Sequence, residues 1–114
     1  MATPEENMIE IKRIAAEHGY SVRKDDRLYE TPYRAMNPTI GRILDMPYQE
    51  NTLTYGPIAA ANKRMLPHDI NHEMIEDVKA KKLKKAGVPK ERIYPRAHRF
   101  ANKHQMNIHY MEDK

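Results

Sequence analysis

His68-Asp69-Ile70-Asn71-His72-Glu73-Met74-Ile75-Glu76, inside the longer stretch from Pro67 to Gly87, decides how this chain is read. Imidazoles and carboxylates recur there in steps of four, from His68 to His72 and from His72 to Glu76. Residues four apart lie one above the other on a helix, so each pair shares a face. Pro67 suits the first turn of such a helix, because the N–H it lacks would be unpaired there anyway. The spacing predicts a central helix from about 67 to about 86, with Gly87 just outside it. Ile70, Met74, Ile75 and Val78 give it one broad apolar side to bury against a small sheet. Lys81, Lys82, Lys84 and Lys85 gather at its C-terminal end, where the helix dipole favours cations.

Upstream, Thr3-Pro4-Glu5-Glu6 has the form of a helix start. Thr3 can cap, Pro4 fits the first helical position and Glu6 can close a capping box. An N-terminal helix over about 4–18 follows, with Met8, Ile11, Ala15 and His18 on one side. His18 is expected there as a structural histidine near the helix end. Gly19 is a left-handed terminator and Tyr20 can fold back on the last turn.

The middle is less patterned. Arg23 to Arg27 is polar and reads as a turn. Leu28 to Tyr33 reads as a short strand or extended segment stopped at Pro32, and Asn37-Pro38 as a turn. Thr39 to Met46 can be a strand or a short helix, ended by Pro47. Thr52-Leu53-Thr54-Tyr55 alternates like a strand and is closed by Gly56-Pro57. Tyr29, Tyr33, Tyr48 and Tyr55 either line a cleft or pack half-buried with wet hydroxyls.

The Ala-rich Ile58 to Met65 can begin a helix. Beyond Gly87, a basic helical segment is expected over about 89–104, with Pro95 able to start a helix of its own. Gln105 to Met111 alternates like a terminal strand or ends as a frayed tail. The sum is one α+β domain over residues 1–114, a short sheet packed against the central helix with flanking helices.

With 114 residues, 39% hydrophobic and 32% charged, the chain suits one core. It has no cysteine, which excludes a disulfide framework and thiolate metal sites. No apolar run reaches the roughly 20 residues that cross a bilayer, and no signal-peptide core follows Met1. A cytoplasmic location with no membrane partner is expected.

Those exclusions turn attention to imidazole and carboxylate chemistry. Zinc binds neutral imidazole and carboxylate, and a catalytic site commonly offers three protein ligands and an open position. Two ligands four apart on a helix meet one ion, and a glutamate beside the first can take a proton from the flank. In His72-Glu73-Met74-Ile75-Glu76 the second histidine of the familiar His-Glu-x-x-His pattern is a glutamate, which is still a competent ligand. His72 and Glu76 are the expected ligands and Glu73 the base. His98, 22 residues further on in Tyr94-Pro95-Arg96-Ala97-His98, is the expected third ligand, with Gly87 and Pro89 letting that segment fold back. Tyr94, one turn before it, can donate to a developing oxyanion. A competing register uses His68, Asp69 and His72, with Glu76 or His98 completing the set.

Pro67-x-x-Ile70-x-His72-Glu73-x-x-Glu76, followed by Tyr94-x-x-Ala97-His98, resembles small zincin-like proteins of phage and prophage origin. The resemblance covers about 52–105. It implies a strand leading into the motif-bearing helix and Zn2+ on His72, Glu76 and His98. Water would be activated by Glu73, and the activity would be hydrolysis of a peptidase-like kind on a peptide or protein substrate.

Charge supports a rival. The segment from Lys79 to Lys103 holds ten Lys or Arg and one acid, Glu91, inside a chain of net charge +4. Lys82, Lys85, Arg92, Arg96, Arg99 and Lys103 can form a stripe that meets nucleic-acid phosphates. The same face can equally be a solvated helix surface, or serve a structural or adaptor protein of phage type.

Overall fold

The computed structural model describes residues 2–46 and 48–113, with the side chain of Tyr29 outside that description. Pro47, expected to end the segment before it, and the ring of Tyr29, a candidate for a cleft, therefore lie outside the described residues.

The protein is a small mixed α+β structure with a three-stranded sheet and several helices. Helix α1 spans Pro4–Glu17, and both halves of its capping box form: Glu6 N–H donates to Thr3 Oγ1 and Thr3 N–H to Glu6 Oε1. Its end is a left-handed turn. Gly19 takes φ +84°, so that Tyr20 N–H reaches Ala15 O at 2.8 Å and Gly19 N–H reaches Ala16 O at 3.0 Å. His18 is an exposed C-cap, not a residue of the inner face, because the helix unwinds there.

Strand β1 (Ser21–Lys24) follows, where a turn is expected from its polar sequence. It is an edge strand, so Arg23 and Lys24 can stay in solvent while the backbone pairs. Asp26–Glu30 is a 3-10 helix and not an extended segment, because the Asp25 side chain accepts from Arg27 N–H and caps it. Strand β2 (Ala35–Met36) leads into α2 (Pro38–Ile43), which settles the helix-or-strand ambiguity of that region. Asn37 caps α2 and Pro38 occupies its first turn. Strand β3 (Thr52–Tyr55) is central. It runs parallel to β1 with Leu53 opposite Val22, and antiparallel to β2 with Tyr55 opposite Ala35. The short helix α3 (Pro57–Ala61) then leads to α4 (Leu66–Lys85).

Helix α4 carries the organisation of the molecule. Leu66, Ile70 and Met74 pack with Ile11, Ile14, Leu53 and Ile108 in one cluster. Ala80 joins a second cluster with Leu28, Met36, Ile40, Ile93 and Ala97. Each Leu, Ile or Met side chain among them contributes roughly 1.5–3 kcal/mol on burial. One apolar side was expected, but every residue from Ile70 to Asp77 is buried, the polar ones included. A helix enclosed all round must pair its polar groups internally. Asp77 does so with the Tyr20 hydroxyl, Thr39 N–H at 2.9 Å and Lys81 Nζ at 2.8 Å. Asn71 Nδ2 donates to the carbonyls of Gln105 and Asn107, both at 2.9 Å, while its buried Oδ1 has no partner among the described residues.

Helix α5 (Lys90–His104) folds back against α4. The reversal repeats the device that ends α1, with Gly87 at φ +83° and Val88 N–H on Leu83 O at 3.0 Å. Pro95 sits inside α5 and does not start a separate helix. It forgoes one backbone bond, and the packing of Ile93, Ala97 and Ala101 holds the helix across it. Residues 105–113 form turns, so the alternation of Met106, Ile108 and Tyr110 is not a strand. Asn71 takes up the carbonyls that a strand would have paired. Among the described residues, no helix is long and apolar enough to cross a membrane.

Candidate metal centre

The antiparallel pair α4 and α5 positions the site. On α4, His72 and Glu73 each lie three or four residues from both Asp69 and Glu76, and all four line one cavity. On α5 the rows separate cleanly. Ile93, Ala97 and Ala101 are buried, Tyr94, His98 and Asn102 line the cavity, and Arg92, Arg96, Arg99 and Lys103 face solvent. The cavity has a volume of about 400 Å³, with Tyr33 to Met36 as its opposite wall. Of the tyrosines considered for a cleft, Tyr33 lines it, whereas Tyr48 is exposed elsewhere and Tyr55 packs on the core.

At its floor, Glu76 Oε2 lies 2.9 Å from His72 Nε2 and 2.9 Å from His98 Nδ1, and those two nitrogens are 3.2 Å apart. Donor atoms of His72, Glu76 and His98 all fall within 4.8 Å of one another. Bonds of about 2.0–2.1 Å to a tetrahedral zinc would place ligand atoms roughly 3.3 Å apart. The donor set therefore fits after an expansion of a few tenths of an ångström. On the far side of its ring, His72 Nδ1 donates to Gln105 Oε1 at 2.8 Å. That bond assigns the ring proton to Nδ1 and turns the Nε2 lone pair inward, the orienting contact that ligating histidines use.

Lone-pair atoms this close repel one another unless a metal ion or shared protons lie between them. Burial pulls the His72 imidazole down, but the hydrogen bond to Glu76 and the fields of Glu73 and Glu76 outweigh it, leaving the ring above the usual histidine range. Glu73 is 8% exposed. Burial, followed by the charge of Glu76, pushes its carboxyl up to about 8. Glu73 Oε2 lies 3.8 Å from His72 Nε2, so it borders the space the three donors enclose. The Tyr94 ring is 5.4 Å from that of His98, and burial with the nearby Glu76 pushes its phenol up to about 12.

His68 stands apart from the three donors, with Nδ1 3.3 Å from the Gln105 carbonyl oxygen. Asp69 lines the cavity, and its buried Oδ2 has no hydrogen-bond partner among the described residues. Lys82, Lys85, Arg92, Arg96, Arg99 and Lys103 lie away from the cavity, all exposed and in no ion pair among the described residues.

Two contributors have no counterpart in the sequence pattern. Asn37 donates from Nδ2 to both Glu73 Oε1 and Glu76 Oε1 at 3.0 Å. Gln105 orients His72. The only signal for Asn37 was its place before Pro38, which marks a helix cap. Gln105 carried none.

The chain matches no protein-family model, no curated protein and no solved structure.

Proposed function

We propose that this protein is a zinc-dependent hydrolase of peptidase-like chemistry, with His72 Nε2, Glu76 Oε2 and His98 Nδ1 as ligands. One observation carries the reading: three donors of the types zinc prefers converge from two helices onto a single point in a cavity. A bound zinc ion would supply Lewis acidity, lowering the pKa of water and polarising a carbonyl.

The chain's own groups supply the rest. Glu73, beside the ligands, would accept the proton of the attacking water once a bound cation has displaced its own, and can return it to a leaving amine. Tyr94 presents a hydroxyl that can donate to the oxygen gaining charge, since burial keeps it protonated. The segment from Tyr33 to Met36 lines the same cavity, where a substrate would lie against the site. The zincin-like kinship, with its phage association, belongs to this proposal on the spacing of the motif. Elemental analysis of the purified protein and of His72→Ala tests it: stoichiometric zinc in the first and its loss in the second are expected. A metal-free, fully folded wild-type protein refutes it.

A second reading is favoured by the solvent-facing row on α5. Arg92, Arg96, Arg99 and Lys103 present cations without ion-pair partners among the described residues, as phosphate contact requires. Under that reading Lys82 and Lys85 extend the footprint along the end of α4. Binding to nucleic acid would then weaken steeply with salt and survive chelation.

A further inference from the structure

Glu73 and Glu76 reach the cavity from successive turns of α4, and both are buried. Two carboxylates so close repel one another and must each find a donor. A single side chain serves both. Asn37 is 1% exposed, and its Nδ2 lies 3.0 Å from Glu73 Oε1 and 3.0 Å from Glu76 Oε1. Its Oδ1 accepts the Ile40 N–H at 2.9 Å and caps α2. An amide nitrogen carries two hydrogens, so each carboxylate has one available to it.

We infer that Asn37 is the positioning residue of the centre, holding the ligand Glu76 and the base Glu73 in one fixed relation through a shared amide. The inference rests on the reading of His72, Glu76 and His98 as ligands. It explains a division of labour among the carboxylate oxygens. Oε1 of each acid is engaged by Asn37. Oε2 of Glu76 is thereby left to the two imidazoles, and Oε2 of Glu73 to the space beside His72. Asn37 is itself fixed from two sides. It follows directly on β2, whose Met36 pairs with Thr54, and it begins α2. The sheet edge, α2 and the acids of α4 are thus joined at one amide. Outer partners that hold ligating carboxylates typically contribute about 10–100-fold in metal affinity.

The test separates the cap from the donor. Asn37→Ser keeps a capping oxygen for α2 and removes the amide nitrogen, and Asn37→Asp keeps both size and cap. Co2+ is the probe, titrated into the full chain and followed by its visible absorption, which reports the ligand arrangement. The wild type is expected to take up stoichiometric Co2+. Asn37→Ser should bind about 10–100-fold more weakly with altered bands and an intact helical spectrum, and Asn37→Asp should not restore it. Unchanged affinity and bands in Asn37→Ser overturn the role of Asn37 alone. A wild type that takes no Co2+ overturns this inference together with the proposed function. If neither variant folds, hydrogen exchange at the Asn37 side-chain amide of the wild type decides. Slow exchange with a shift on zinc addition supports the role, and fast exchange or no shift overturns it.

Discussion

Glu76 Oε2 lies 2.9 Å from His98 Nδ1, although the two residues sit on different helices and are 22 residues apart in the chain. The same oxygen is 2.9 Å from His72 Nε2. One carboxylate oxygen therefore joins the hairpin of α4 and α5 at the depth of the cavity, and much of the site's chemistry follows from what occupies that junction.

Removing the α5 contribution should disable the junction without unfolding the hairpin. Apparent zinc binding free energies of about 10–16 kcal/mol, shared over about four ligands, give each ligand roughly 3 kcal/mol. His98→Ala is accordingly expected to weaken zinc about a hundredfold in a competition titration with a chromogenic chelator. His68→Ala, outside the converging donors, should leave the affinity within a few-fold of wild type.

Zinc-free protein should lose stability as pH rises through neutrality. The Glu73 carboxyl, pushed up to about 8 by burial and then by Glu76, keeps in the folded state a proton that the unfolded chain releases above its ordinary value of 4.5. The native state binds more protons in that window, so stability falls with rising pH. His72 acts in the same sense. Despite burial, its acidic neighbours hold it above the ordinary value of 6.5, and its stabilising contribution is lost as pH climbs past the folded value. Melting curves of chelator-treated protein should shift downward from about pH 5 to about pH 8. Added zinc should reverse the trend, because its binding displaces those protons.

Glu73→Gln separates holding the ion from using it. The amide is isosteric and neutral, so zinc content should persist while cleavage of a peptide library, read by mass spectrometry, falls about 10²–10⁴-fold. The same variant should melt above the wild type when both are zinc-free at about pH 8, since it buries no ionisable carboxyl there.

Charge reversal on the outer row of α5 tests the second reading independently. Arg96→Glu with Arg99→Glu touches no cavity residue and should leave zinc content unchanged. If the row meets phosphates, binding to a random DNA duplex should weaken. Its logarithmic salt slope should flatten by roughly 0.9 for each phosphate no longer neutralised.

Local chemistry was legible in the sequence, whereas long-range pairing, the return of His98 to His72 and Glu76 apart, was not. Thr3 with Glu6, and Gly19 with Tyr20, specify their turns through neighbours in the chain, and the hydrogen bonds they announce are present. Thr52–Tyr55 declared itself a strand by β-branched alternation. Ser21–Lys24 did not, because an edge strand needs backbone partners more than apolar side chains. The periodicity of α4 named His72 and Glu76, and a basic helical segment beyond Gly87 named His98. It gave no hint that Asn71 and Asp77 would be enclosed as well, since their partners lie among Tyr20, Thr39 and the 105–107 turn. Asn37 was hidden for the same reason, standing 36 and 39 residues from the acids it serves.

The enclosure of α4 from Ile70 to Asp77 reaches past chemistry to the life of the chain in a cell. With the proposed ion bound, a helix that conceals three acids and an imidazole would be stabilised by it, and a copy stripped of that ion would open more often to degradation. Scarcity of the ion would then thin the population of molecules before it slowed any survivor, making turnover the first sign of deprivation.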